Sequence, residues 1–145
     1  MRYARQTSAS TGAYGRPLQT PAHSLLIQVR DARALRKQFF DPGMFGEPGW
    51  DMLLDLYEAE LNQVRMMVSS VCVGSGVPAT TALRWLKVME RRGLIARQSD
   101  PRDARRVFIS LTPQARGAMD ALFDALVAQF ANLTRRPEEH VRSPF

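Results

Sequence analysis

The chain of 145 residues has a single cysteine, Cys72, two histidines and 8% aromatic residues. One cysteine excludes an intrachain disulfide, and nothing suggests an oxidising compartment, so a cytoplasmic protein is expected. His23 and His140 fall in the two end segments, with no cysteine or carboxylate at metal-ligand spacing. Long apolar runs are missing too: none approaches the roughly 18 residues needed to span a bilayer. Arg2 and Arg5 have no apolar stretch behind them, so a secretory signal is not expected. There is no glycine-rich phosphate loop and no nucleophile elbow. Cys72 lies on the apolar face of a short helical pattern, where a small core residue is a commoner role than a nucleophile. Asp51 and Asp55 share a helix face, which reads as a solvated face rather than an acid–base pair. No enzyme activity, cofactor or metal is therefore expected.

Positive charge is what the chain has in excess. Its net charge is +6 with a pI near 10.4, on a composition of 45% hydrophobic and 23% charged residues that suits one globular domain. Residues 1–41 hold seven Arg/Lys against two Asp, whereas 47–62 hold five acids and no base. Residues 65–106 then carry nine Arg/Lys against three acids. A compact basic segment beside an acidic helix makes a directed positive face, which attracts phosphate before any specific contact forms. An anionic membrane is a poorer partner, because no basic amphipathic helix with a large apolar face is present.

Residues 1–23 are rich in Ser, Thr, Gly, Pro and Arg without periodicity and read as a flexible basic arm. A helical pattern starts at Ser24, with Leu25, Leu26, Val29, Leu35 and Phe39 largely on one face, and "DPGMFGEPG" (41–49) breaks it. Trp50, Leu53, Leu54, Tyr57 and Leu61 then recur at helical spacing, with Asp51, Asp55 and Glu58 opposite. Ser69 suits the N-cap of a short helix, 70–75, that ends at Gly76. Pro78 suits the first turn of a second helix, with Ala82, Trp85, Leu86 and Met89 on one stripe and Gly93 as its stop. Two helices joined by a tight glycine-containing turn make a helix-turn-helix.

"LIARQ" (94–98) and "VFISL" (107–111) read as the strands of an antiparallel hairpin. Thr112 and Pro113 open a further helix, with an apolar stripe through Met119, Leu122, Phe123, Leu126, Val127 and Phe130. The residues beyond, 134–145, read as a disordered tail.

A helix fits the major groove of B-DNA, and residues near its N-terminus reach base edges. On the second helix Ala79, Thr80, Thr81, Arg84 and Lys87 are the candidates: the threonines for base edges and thymine methyls, Arg84 for guanine or phosphate, Lys87 for phosphate. The alternative is an ordinary core helix with a basic solvated face. "SDPRDARRV" (99–107) at the hairpin tip weighs against it. A plain two-residue hairpin turn favours Asn-Gly or Asp-Gly, absent here. Arg102, Arg105 and Arg106 there can reach a narrow minor groove, while Asp100 and Asp103 can pair with the arginines and hold the arm's shape.

The stretch "GVPATTALRWLKVMERRGLIARQSDPRDARRVFISLTP" resembles the winged helix-turn-helix of MarR-type transcriptional regulators. Asp100, Arg102, Asp103, Arg105 and Leu111-Thr112 match the family's D-x-R-D-x-R wing and following Leu-Thr, and Glu90–Leu94 matches the end of its recognition helix. The chain departs from the pattern at Pro78, where a polar residue is usual, and at Ala115, where glycine is usual. The resemblance covers about residues 50–130 and implies a mainly α fold with a small β-hairpin (α+β). Residues 24–133 would form a winged-helix DNA-binding domain, with dimerisation helices at about 24–40 and 113–132. It further implies Arg102 in the minor groove, a bracing pair of Asp100 with Arg105, and a homodimer on double-stranded DNA. A small-molecule effector between the dimer helices and the DNA-binding lobe is also implied; Trp50, Tyr57 and Phe40 are candidates for its pocket and equally for the core. The expected function is sequence-specific transcription regulation. The alternative is a winged-helix module that binds a protein partner instead.

Overall fold

A computed structural model describes residues 20–41 and 46–135, the last three by their backbone alone. The order is α1 (Pro21–Arg36), α2 (Pro48–Leu61), β1 (Met66–Met67), α3 (Val68–Gly74), α4 (Ala79–Arg91), β2 (Ile95–Ser99), β3 (Val107–Leu111) and α5 (Pro113–Arg135). The three strands make one antiparallel sheet in the order β1-β3-β2. The helices carry most of the chain, as a mainly α winged helix requires.

Local chemistry sets most boundaries. The helix expected from Ser24 begins at Pro21, because the Thr20 hydroxyl accepts the His23 N–H at 3.2 Å. Pro21 fits the first turn, where its missing N–H costs nothing. His23, read as part of an unstructured arm, is thereby buried. The same helix stops at Arg36, short of residue 40, and the chain leaves it through turns at 37–39. Residues 1–19 of the expected arm and 136–145 of the expected tail lie outside the described residues, while α5 continues to Arg135.

Helix α2 is buried more widely than one apolar stripe predicts. Met52, Leu54, Leu56, Tyr57 and Ala59 are all buried, because α1, α3, α4 and β3 all pack on this helix. Its acidic face is not solvated as expected. Arg33 donates to Asp51 and to Glu47, each at 2.8 Å, and Arg30 pairs with Asp55 at 2.5 Å and with Glu58. Burial pushes the Asp55 carboxyl above its ordinary range while Arg30 draws it back. Charge complementarity thus clamps α1 across α2.

Strand β1 was not visible in the sequence. Met66 and Met67 pair with Ile109 and Phe108, and Met67 leaves the strand still extended to become the N-cap of α3. That displaces Ser69 from the expected cap: the helix starts at Val68, one residue before it. Gly76, with φ +69°, supplies the left-handed turn after α3. Pro78 stands at the N-cap of α4 rather than inside its first turn, and its carbonyl accepts the Ala82 N–H at 2.9 Å. At the other end Gly93 is again left-handed at φ +69°, letting the Leu94 N–H reach the Met89 carbonyl. Thr112 then joins two elements: its hydroxyl donates to the Gly93 carbonyl at 2.6 Å and accepts the Ala115 N–H of α5 at 3.1 Å.

One core runs through these elements. Leu26, Met52, Leu54, Leu56, Val71, Ala82, Leu86 and Phe123 are essentially inaccessible to solvent and belong to a single cluster. Each of its larger side chains contributes about 1.5–3 kcal/mol by leaving water. Tyr57 stacks on Phe123 with centroids 5.4 Å apart, and its hydroxyl donates to Asp120 at 2.6 Å.

Candidate nucleic-acid interface

Three residues of α4 bury one face of the helix: Ala82, Leu86 and Met89. Because side chains three and four apart share a face, the opposite face carries Thr80, Arg84, Lys87 and Arg91, all exposed. Ala79 is exposed at the first turn. Thr81 is only half-buried and sits on the flank occupied by Trp85, so it stands apart from the line of Thr80, Arg84 and Lys87. Trp85, expected on the apolar stripe, is 37% exposed and lies along Gly49 at the start of α2.

The hairpin is held by its backbone ladder from Ile95↔Leu111 to Ser99↔Val107. Beyond the ladder, the Asp100 N–H donates to the Arg106 carbonyl and the Arg106 N–H to the Asp103 carbonyl, both at 2.9 Å. The two aspartates hold the tip through the backbone. Asp100 accepts the Arg102 N–H at 2.9 Å, and Asp103 accepts the Arg105 N–H at 3.0 Å. The expected Asp100–Arg105 pair is not formed. The Arg105 guanidinium turns back to Asp103 at 3.3 Å, two residues away in the same turn, so Asp100 is left to cap Arg102. Arg102, Arg105 and Arg106 are all exposed, and among the described residues the Arg102 guanidinium has no acidic partner.

Between α3, α4 and the base of the hairpin lies a cleft of about 550 Å³. Val73 and Leu83 line it with Arg97, Arg105 and Arg106. Arg97 pairs with Glu90 of α4 at 3.2 Å, tying the hairpin to the helix. Cys72 borders the same cleft; burial pushes its thiol up, with Arg97 opposing, so the protonated, weakly nucleophilic form is favoured. Leu83 is the residue the sequence reading passed over. It lies outside the 82–86–89 stripe yet is apolar and 41% exposed.

Of the candidates for an effector pocket, Tyr57 is 2% exposed and committed to the core. Trp50 is half-buried and packs at the core's edge, and Phe40 is exposed. Among the described residues no group of His, Cys, Asp or Glu is arranged to hold a metal ion. No described helix is long and apolar enough to cross a membrane.

A family model for the winged helix DNA-binding domain matches residues 61–115, which takes in the end of α2, the two-helix unit, the hairpin and the start of α5. Among solved structures, the chain is similar to MepR of S. aureus bound to ethidium bromide, with a TM-score of 0.54 and 19% identity over 80% of this chain and 82% of that one. A MepR mutant from a multidrug-resistant S. aureus clinical isolate gives a TM-score of 0.53 and 23% identity over 77% and 80%. The transcriptional regulator PA4135 gives 0.50 and 22% over 80% and 83%. At these identities the likeness is one of fold. A comparison with curated proteins finds no match.

Proposed function

We propose that this chain, whose residues 61–115 form a winged helix DNA-binding domain, is a sequence-specific transcription regulator of MarR type acting as a homodimer. The observation that carries the reading is the exposed line of Thr80, Arg84 and Lys87 on α4, beside a hairpin whose tip presents Arg102. A helix with that face suits the major groove, and a narrow minor groove attracts the wing arginine through its concentrated negative potential. In this reading Ala79, Thr80, Thr81 and Arg84 read base edges. Lys87, Arg105 and Arg106 meet phosphates, while Asp100 and Asp103 keep the wing in shape. The ends of the domain, about 24–40 and 113–132, form the dimer contact. Exposed Leu35, Phe39, Leu122 and Phe130 on those segments support it. MepR has been seen with ethidium bromide, and by likeness of fold a small-molecule effector belongs to the proposal.

The test is selection of bound sequences from random duplex DNA with the purified full chain. The expected product is a symmetric site with half-sites about one helical turn apart. Enrichment of no sequence, together with a stoichiometric protein captured in the absence of DNA, would replace this reading with that of a protein-interaction module.

A further inference from the structure

Leu83 is out of place on the surface it occupies. It is the fifth residue of α4, three after Thr80 and next to Arg84, and it is 41% exposed. Trp85, two residues on, lies on the other flank against Gly49, so the two do not cover each other. Leu83 instead lines the cleft between α4 and the hairpin, where Arg105 and Arg106 are its charged neighbours. Arg84 and Lys87 extend the basic surround along α4, and Val73 of α3, 58% exposed, is the apolar side chain that shares the cleft with the leucine. An apolar contact ringed by guanidinium and ammonium groups suits an occupant with an anionic rim and an apolar centre. Duplex DNA has that form in its major groove: phosphates on both edges and, at each thymine, a methyl group projecting from the floor.

We infer that Leu83 reads the methyl group of a thymine in each half-site and so sets sequence preference at that base pair. The inference rests on the DNA-binding reading above and adds a determinant to it. The position fits, since the first turn and a half of a recognition helix reaches base edges. Leucine has no hydrogen-bonding group, so of the major-groove features only the methyl can reward it. Burying one methyl-sized group against an apolar surface corresponds to about a fourfold change in affinity.

The experiment replaces each thymine of the selected site in turn with deoxyuridine, which removes the methyl and keeps every hydrogen-bonding atom. Binding is measured for the parent chain and for Leu83→Ala. At one thymine per half-site the parent should lose about fourfold, and Leu83→Ala should lose nothing further there. Because Leu83 is exposed, the variant should keep the parent's affinity for unrelated duplex, which also checks its fold. A parent insensitive to deoxyuridine at every thymine overturns the inference, as does an unchanged sensitivity in Leu83→Ala. Both of those results leave DNA binding intact. Failure to enrich any site overturns the inference along with the functional reading.

Discussion

Arg102 and Arg105 stand three residues apart in one turn but differ in what holds them. The Arg105 guanidinium is engaged by Asp103, whereas Asp100 takes the Arg102 backbone N–H and leaves its side chain free to reach outward. Arg102→Ala should therefore weaken DNA binding at every sequence and flatten the dependence of log affinity on log salt by up to about 0.9, because a cation held in the minor groove neutralises about one phosphate charge and releases its counterion. Arg105→Ala should have a smaller effect on both. Titrations at four salt concentrations separate the cases; an unchanged slope for Arg102→Ala removes the wing tip from the interface. Tyr57 offers a second test at this scale, in stability. Burial, then the Asp120 hydrogen bond and charge, raise its phenol above the ordinary value near 10, with Arg116 opposing. The folded chain thus keeps the proton after the unfolded chain has lost it. Tyrosine's contribution is full below pH 10 and declines as pH rises above it. Tyr57→Phe should cost about 1.5–3 kcal/mol at neutral pH, the range for a hydrogen bond to a charged group. It should also lose this alkaline decline, which urea midpoints at neutral and alkaline pH would report.

At the scale of elements, α2 and α4 share the buried core and also meet where Gly49 lies against the Trp85 ring. A Cβ there would lie 3.1 and 3.2 Å from Trp85 Cε3 and Cζ3, too close unless the ring moves. Gly49→Ala, in the first turn of α2, should gain less than the roughly 0.5–1 kcal/mol of an interior helix position and so leave thermal stability near the parent's. It should nonetheless shift tryptophan emission and weaken DNA binding by re-aiming α4, and Trp85→Leu in the same chain should restore affinity. Parent-like binding by Gly49→Ala alone would show that this contact does not position the helix. What the sequence made legible follows the same distinction between local and distant causes. Helix α4, the hairpin and α5 were readable because their periodicity and the stop and start signals Gly93 and Thr112 lie within a few residues of what they control. Strand β1 was not, since Met66 and Met67 become a strand only by pairing with Ile109 and Phe108 from a distant segment. The acids of α2 looked solvated for the same reason: Arg30 and Arg33, which cover them, belong to α1. In the candidate site, the spacing of Thr80, Arg84 and Lys87 was plain from helical geometry, but an apolar letter reads as core, so the exposure of Leu83 was hidden. The Asp103–Arg105 pair depends on how the tip curls, which composition does not specify.

At the scale of the whole molecule, exposed apolar side chains recur on or beside the first and last described helices, α1 and α5. Leu35 is 52% exposed, Phe39 73% and Phe130 52%, on or just beyond α1 and on α5, which pack together. A second copy offers the same surfaces, and a two-fold contact between them would place two wings and two α4 helices on one duplex. Two linked DNA-binding units then act at high effective concentration, so the dimer binds a two-half-site duplex far more tightly than its separated halves. Light scattering should give twice the 16.3 kDa chain mass at micromolar concentration. Leu35→Ser with Phe130→Ser should reduce it toward one chain without disturbing the core, because both side chains lie outside the buried cluster. The double variant should lose about 10²–10⁴-fold in affinity for the full site while keeping the parent's affinity for a duplex with one half-site. A parent that runs as a monomer on its selected DNA would sink the dimer. Equal losses on both duplexes would mean that the two substitutions act on the fold rather than on the contact between copies.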